Sequence, residues 1–297
     1  MHQISRVRFA LITTGVASLV LASSVVAGAT SMHSTTGTYN AADAKAVPAI
    51  YKGKTLKVAT DATYAPDESM RGSTMIGFDV DLMKAIAKTL GLSISESNVT
   101  FNGILLGIKA GNYQIGNSSF TDNKLREKQV NFVDYFQAGE GVYAKSSSMV
   151  HFTGLKSFCG LKVAVETGTV EQSDAKATAK TCPAGKKLTI LTFSTQTEAN
   201  LAVSSGQATV GFLDSQIAGY VVAQSHGAFK LVGNAVNVAP YGLATPKTPA
   251  GKGLAVAIQK ALKTLIANGT YGAILSHWGV SAGGLAVSRI VLNGALS

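Results

Sequence analysis

The chain has 297 residues, of which 46% are apolar and 14% are charged, and its formal net charge at pH 7 is +10. This length predicts about two domains with a substantial core, and the low charge density excludes a disordered polyelectrolyte. The lysines are scattered and are not interleaved with aromatic residues, which argues against a nucleic-acid partner. We interpret the charge as a solvated surface; an anionic membrane surface is the alternative.

The N-terminus has the pattern of a secretory signal peptide. A basic start precedes an apolar, uncharged run over residues 9–26, and small residues follow it up to Ala29. We therefore expect an exported, periplasmic protein whose signal peptide, residues 1–29, is cleaved near Ala29. An uncleaved anchor is the alternative, because the run is nearly long enough to span a bilayer. No cysteine follows the run, so no lipid attachment is predicted.

The chain after the signal peptide is expected to begin as a disordered leader over residues 30–50, which are small and polar without periodicity. Order then begins with an alternating strand over residues 55–60. An amphipathic helix follows over residues 78–90, with Gly91 placed for a left-handed C-cap. Strand, helix and strand recur around residues 94–99, 103–110 and 113–118. This alternation predicts an α/β fold with a mainly parallel sheet.

The pattern restarts in the second half of the chain, which predicts a second lobe. Strands are expected at residues 161–165, 187–193 and 208–214, and helices at residues 170–180 and 198–205. Extended segments at residues 141–145 and 238–243 are expected to cross between the lobes. A helix over residues 253–268 would return to the first lobe. The predicted boundaries are residues 51–140 and 240–282 for the first lobe, 141–239 for the second, and 283–297 for a C-terminal tail.

The chain has two cysteines, Cys159 and Cys182. An exported protein meets an oxidising compartment, so we expect them to form a disulfide that joins the start of a strand to the end of the next helix. Two buried free thiols are the alternative. The five histidines lie far apart in the sequence, without the spacing of metal ligands, and no phosphate-binding loop is present. No metal site and no cofactor are therefore predicted.

Three motifs together carry a resemblance to a known family: residues 117–129, with the run Ser118-Ser119-Phe120-Thr121 ahead of Arg126, and residues 61–66 and 77–82. Their order and spacing resemble the polar amino-acid-binding proteins of ABC importers, the bacterial extracellular solute-binding protein family 3, over about residues 53–280. The resemblance implies a type II periplasmic-binding-protein fold. In that fold two lobes, each a mainly parallel sheet flanked by helices, are joined by two extended hinge crossings and close on a ligand.

The resemblance also implies roles for single residues. Arg126 matches the arginine that grips the α-carboxylate of the ligand with two parallel charge-assisted bonds. Asp214 matches the carboxylate that pairs with the α-ammonium. A surface charge for Arg126 and a helix cap for Asp214 are the alternative roles. The predicted ligand-binding residues are Asp61, Tyr64, Phe101, Ser118, Ser119, Thr121, Arg126, Glu166, Thr169 and Asp214.

Three acidic residues, of which Asp61 lies in one of these motifs, suggest the side chain of the ligand. Asp61, Glu68 and Glu166 would form an acidic pocket for arginine, lysine or ornithine. Tyr64 and Phe101 would sandwich a guanidinium. In the alternative, Glu68 and Glu166 face solvent and the cationic preference disappears.

We therefore predict a monomeric protein that is not an enzyme. It would bind a free L-amino acid, with a slight preference for a cationic side chain, and deliver it to an inner-membrane ABC permease. The alternative is an enzyme like cyclohexadienyl (prephenate or arogenate) dehydratase on the same fold. In that enzyme Glu166 or Glu171 would act as the acid that protonates a leaving hydroxyl.

Overall fold

The structure, a computed structural model, describes residues 34–295. The predicted signal peptide lies outside the described residues. None of the helices within the described range has the length and apolarity needed to cross a membrane.

Strands and short helices alternate along the described chain. The strands are β1 (Thr55–Thr60), β2 (Thr63–Tyr64), β3 (Glu68–Arg71), β4 (Thr74–Ile76), β5 (Ser93–Asn98), β6 (Ile115–Gly116), β7 (Val130–Lys145), β8 (Lys162–Glu166), β9 (Thr189–Phe193), β10 (Val210–Asp214), β11 (Phe229–Leu231) and β12 (Val236–Pro246). The helices are α1 (Ala41–Ala44), α2 (Phe78–Leu90), α3 (Phe101–Lys109), α4 (Lys124–Glu127), α5 (Val170–Ala179), α6 (Gln196–Ser205), α7 (Ser215–Gln224), α8 (Pro249–Ala267) and α9 (Thr270–His277). Short 3-10 helices lie at Ala49–Tyr51, Leu155–Phe158, Ser281–Gly283 and Val287–Arg289.

One nine-stranded sheet runs through the protein in the order β5-β1-β6-β12-β7-β10-β8-β9, and β11 pairs with β7. In the first lobe, β1 lies parallel to β5 and β6. In the second lobe, β8 lies parallel to β9 and β10. The long antiparallel strands β7 and β12 connect the two groups. This topology confirms the predicted α/β fold, with two extended crossings between two lobes.

Helix α2 shows how the sequence specifies the first lobe. Its residues Val80, Met83, Ile86 and Leu90 are all buried, at the spacing of one helical face. The helix ends at Gly91, whose φ of 65° is a left-handed conformation that glycine adopts at little cost.

The N-terminal leader is ordered where the structure describes it, so the expected disorder is wrong for residues 34–50. The side chain of Asn40 caps α1, and its backbone N–H donates to the carbonyl of Thr89 at 2.9 Å. Val47 is buried in the core of the first lobe, and the hydroxyl of Thr264 donates to the buried Asp43 at 2.7 Å. The segment packs onto α2 and α8. Its small residues allow this packing, but they show no helix or strand periodicity from which the sequence could have predicted it.

The C-terminal tail packs against the edge of β7. Leu292 forms an antiparallel bridge with Val133, and Gly284 forms one with Phe136. The backbone N–H of Phe132 donates to the side chain of Asn293 at 2.8 Å. The first half of β7 pairs with β12 on one side. The tail therefore covers backbone groups that would otherwise be unpaired on the other side of this half.

Cys159 and Cys182 form the predicted disulfide in the second lobe. The bond joins the residue that follows the 3-10 helix Leu155–Phe158 to the loop after α5, and the two cysteines are 23 positions apart in the sequence. Among residues 34–295 no cysteine remains free, so the alternative of two free thiols is wrong.

Replacing both cysteines with serine is expected to lower the free energy of unfolding by about 3 kcal/mol, because the crosslink restricts a loop of this length in the unfolded chain. Urea unfolding of the variant and of the oxidised wild-type protein measures the difference. Ligand affinity should stay unchanged, since neither cysteine lines the cavity described below. Equal unfolding midpoints would contradict the prediction.

Candidate functional site

A nearly closed cavity, with a volume of about 10 Å3, lies between the two lobes. Both lobes contribute to it at the carboxyl ends of their parallel strands, where open α/β sheets bind ligands. The residues that line it are Tyr64, Phe101, Ser119, Thr121, Arg126, Thr169, Val170, Glu171 and Asp214.

Arg126 is the one basic residue among those lining the cavity. It lies in α4 and is only 8% exposed. Its guanidinium carbon lies 5.3 Å from the ring centre of Phe101 and 5.5 Å from that of Phe120. Nη1 donates to the carbonyl of Thr121 at 2.9 Å, and Nη2 donates to that of Gly168, in the second lobe, at 3.0 Å. Arg126 is therefore a fixed, buried cation, and the surface-charge alternative is wrong.

Asp214 lies at the other side of the cavity, at the end of β10. It occupies the N-cap position of α7, but its side chain makes no capping hydrogen bond. The helix-cap alternative is therefore wrong. Burial, together with the negative charge of Glu171, raises the pKa of Asp214. A cationic group beside it would relieve this cost.

Asp61 and Ser118 do not line the cavity but lie behind it. The carboxylate of Asp61 accepts from the hydroxyl of Thr63 at 2.7 Å and from the backbone N–H of Phe101, the first residue of α3, at 2.8 Å. The hydroxyl of Ser118 donates to Glu68 at 2.8 Å and accepts from the N–H of Asp61 at 2.9 Å. Through these bonds both residues position the ends of β1 and β6, beside the residues that line the cavity.

Ser119 does line the cavity, and it does so from a strained backbone. Its φ of 47° is uncommon for a residue with a side chain. Its N–H donates to Asp79 at 3.1 Å, and its hydroxyl donates to Asp67 at 2.9 Å. Asp67 also accepts from Gln216 of the second lobe at 2.7 Å. Burial raises the pKa of Asp67, and it raises that of Asp79 to about 6.

Glu166 ends β8 and is 1% exposed. Both of its carboxylate oxygens and the hydroxyl of Tyr64 are buried without a hydrogen-bond partner. Burial and the nearby Asp61 raise the pKa of Glu166 to about 9. Glu68 is also fully buried. The alternative in which Glu68 and Glu166 face solvent is therefore wrong, although neither carboxylate lines the cavity.

The start of α5 forms the second-lobe wall. Thr169 is its N-cap: the hydroxyl accepts from the N–H of Gln172 at 3.1 Å and donates to the carbonyl of Glu166 at 2.9 Å. Val170 and Glu171 follow, so the positive end of the helix faces the cavity. Our sequence prediction did not assign Glu171 to ligand binding. The sequence signal that could have identified Glu171 is its position in the first turn of α5, after the N-cap residue Thr169.

Glu171 is 2% exposed, and its Oε1 atom has no hydrogen-bond partner. Burial raises its pKa to about 7, which Arg126 partly opposes. Glu171 thus adds a carboxylate to the wall of the cavity.

The aromatic pair differs from the expected sandwich. The rings of Tyr64 and Phe101 meet edge to face, with centroids 5.9 Å apart and an interplanar angle of 69°. Phe101 instead stacks on Phe120 at 4.5 Å and lies under Arg126. The Phe101 ring therefore supports the cationic residue of the protein, and the two rings do not form a parallel sandwich.

The structure thus places seven of the ten predicted residues on the cavity wall and three behind it. The seven are Tyr64, Phe101, Ser119, Thr121, Arg126, Thr169 and Asp214. The three are Asp61, Ser118 and Glu166. No cluster of His, Cys, Asp and Glu within residues 34–295 has the arrangement of a metal site.

This fold and cleft define the class of two-lobed solute-binding proteins. The model of the family described as bacterial extracellular solute-binding proteins, family 3, matches residues 56–281. The chain therefore belongs to this family.

A curated relative, the arginine-binding protein ArgT of Corynebacterium glutamicum, is 34% identical over 212 residues, which cover 70% of this chain and 68% of that protein. Several other curated relatives are matched over only about half of their length.

Two solved structures show the same fold. An ancestral arginine-binding protein bound to arginine is 31% identical with a TM-score of 0.70, and the match covers 75% of this chain and 97% of that one. The ancestral amino acid-binding protein AncCDT-1, described as a precursor of cyclohexadienyl dehydratase, is 30% identical with a TM-score of 0.68, over 77% of this chain and 97% of that one. The structure that is linked by its description to the dehydratase alternative is thus a precursor, and that precursor is itself described as an amino acid-binding protein.

Proposed function

We propose that this protein binds a free L-amino acid with a cationic side chain, arginine foremost, between its lobes and delivers it to an ABC permease. One observation carries the proposal. The buried cation of Arg126 and the carboxylates of Asp214 and Glu171 line the same small cavity. Opposite charges in one cavity suit a zwitterion, because each charged end of the ligand then finds a partner.

The carboxylate end of the ligand would bind at Arg126. A guanidinium has five N–H donors, and the two bonds to backbone carbonyls leave others available. The hydroxyl of Thr121 lies beside it on the cavity wall. The N-terminal turn of α5 adds backbone N–H groups and the positive end of a helix dipole.

The side-chain end would extend toward Glu166. Its two unpartnered oxygens and the Tyr64 hydroxyl form an acidic, buried polar group without a cation. The Glu166 carboxyl lies beside the Tyr64 hydroxyl and Asp61, and a guanidinium or ammonium there would offset the cost of ionising these buried groups. The relative named as arginine-binding and the ancestral structure bound to arginine support the same preference.

The remaining assignments belong to the same proposal. We infer export to the periplasm with cleavage near Ala29, a monomer in solution, and an inner-membrane permease as partner. The lobe boundaries that we propose are residues 51–140 and 240–282 for the first lobe and 141–239 for the second. The long paired strands β7 and β12 support them.

Isothermal titration of the purified protein tests the proposal, after unfolding and refolding to remove bound ligand. We expect arginine to bind most tightly among the common amino acids and ornithine, with lysine next. Micromolar affinity corresponds to about 8 kcal/mol, which charge-assisted bonds of about 1.5–3 kcal/mol at both ends can supply. Tighter binding of glutamine than of arginine would refute the cationic preference. No heat with any amino acid, followed by binding of prephenate or arogenate, would refute amino-acid capture.

A further inference from the structure

The acidic and basic side chains of this protein are divided between its interior and its surface. Ten of the 16 Asp and Glu residues are buried. Apart from Arg126, the Lys and Arg side chains within residues 34–295 lie at the surface. Two salt bridges form in this part of the chain, Lys84–Glu96 and Lys124–Glu127. The exterior is therefore more cationic than the net charge suggests.

One end of the first lobe concentrates this positive charge. Strands β1 and β6 begin there, β12 ends there, and the C-termini of α2 and α3 lie beside them. We name this end the basic face and define it by its exposed lysines, Lys45, Lys52, Lys54, Lys109, Lys128, Lys247 and Lys252. The ligand cavity lies at the opposite ends of β1 and β6.

A groove crosses the basic face. Lys109, Lys128 and Lys247 line it together with Gln114 and Gln129. A second depression beside it is lined by Lys45 and Lys52. No acidic side chain lines either one.

Acidic residues near the basic face do not neutralise it. Asp43 is buried and accepts from Thr264. Glu127 pairs with Lys124. None of the lysines that define the basic face takes part in a salt bridge within residues 34–295. Lys247 donates to the backbone carbonyls of Glu127 and Val130, and the ammonium groups of the other six are available to an anionic partner.

Large apolar side chains are exposed among these lysines. Ile50 lines the groove and is 56% exposed, and Tyr39 lines the second depression and is 59% exposed. Lysines that surround exposed apolar residues match the interface of a lipid bilayer, where ammonium groups meet phosphates and apolar side chains enter the headgroup layer. A soluble polyanion would use the lysines but would gain nothing from Ile50.

We propose that the basic face binds the surface of an anionic lipid membrane. Binding there would hold the protein near the bilayer with its cleft directed away, so amino-acid capture would continue in the bound state. This surface is independent of the ligand cavity, because none of its lysines lines the cavity.

Co-sedimentation with vesicles tests the proposal. Vesicles of equal parts phosphatidylcholine and phosphatidylglycerol should bind the exported protein, and pure phosphatidylcholine vesicles should not. Replacing Lys52, Lys109 and Lys128 with glutamine should weaken binding by about 100-fold, at roughly fivefold per lysine near a charged surface. Raising the salt concentration should also weaken binding. Ile50→Ser should weaken it further.

The matched control changes the same number of charges on the second lobe. Lys176, Lys180 and Lys187 are exposed there, and their replacement by glutamine should leave vesicle binding nearly intact. Equal losses in the two triple variants would refute the basic face and indicate diffuse attraction by net charge. Binding to polyphosphate without binding to vesicles would refute the lipid partner. Arginine affinity should be the same in all variants, which separates this test from that of the cleft.

Discussion

Replacing Arg126 with alanine is expected to weaken the binding of amino acids by about 100- to 10,000-fold. The guanidinium would make two charge-assisted bonds to the ligand carboxylate, each contributing about 1.5–3 kcal/mol, and each 1.4 kcal/mol is about a factor of ten in affinity. Because every amino acid has this carboxylate, all ligands should be affected alike. Titration calorimetry of arginine and lysine measures the loss.

Two further variants separate the guanidinium fork from charge alone. Arg126→Lys retains a cation but cannot make two parallel bonds, so an intermediate affinity is expected. Arg71→Ala removes an exposed arginine of β3 and should leave binding unchanged. Affinity within a few-fold of wild type for Arg126→Ala would contradict the assignment, provided that thermal unfolding shows a folded variant.

Much of the fold follows from periodicity and chain order. The alternation of strands and amphipathic helices gives parallel strands in each lobe, and the long apolar stretches of β7 and β12 give the crossings. These features are local, so a short window of sequence contains them. Helix α7 and the three-stranded antiparallel sheet of β2, β3 and β4 were not predicted, because their residues have no clear periodicity.

The site was predictable in part for a different reason. Arg126 and Asp214 stand at element ends, where parallel sheets place functional groups. The positions of Asp61 and Ser118 behind the cavity depend on partners 40 to 57 residues away in the chain. Such partners are set by packing, and no local pattern reveals them.

The burial of acidic residues links the two proposals. The carboxyl groups held inside become ionised when a cationic ligand binds, in a protein whose exterior is positive. A cationic amino acid is repelled by the surface at long range. Within the cleft it is attracted, because the low dielectric constant there strengthens the electrostatic interaction between the ligand and the carboxyl groups. Salt should screen the exposed charges more than the buried ones. The positive exterior thus attracts an anionic membrane, and the selectivity for a cationic amino acid is determined by the cleft.

Arginine affinity is expected to rise with pH up to about pH 9. Burial and Asp61 raise the pKa of Glu166 to about 9, so this carboxyl holds a proton below that pH. A bound guanidinium favours the ionised form and lowers the pKa, so binding releases a proton. The affinity should then increase by at most tenfold per pH unit. Titrations in two buffers with different ionisation enthalpies count the protons released.

Replacing Glu166 with glutamine should lower arginine affinity by about 10- to 100-fold, because one charge-assisted bond worth about 1.5–3 kcal/mol is lost. It should also flatten the pH dependence and reduce proton release, although Glu171, with a pKa of about 7, would still contribute below neutral pH. Glutamine has no cationic side chain, so its weaker binding should change little. Asp81→Asn, which alters a half-buried carboxylate of α2 that does not line the cavity, serves as the matched control. Unchanged arginine affinity and proton release in Glu166→Gln would place the cation-binding group elsewhere in the cleft.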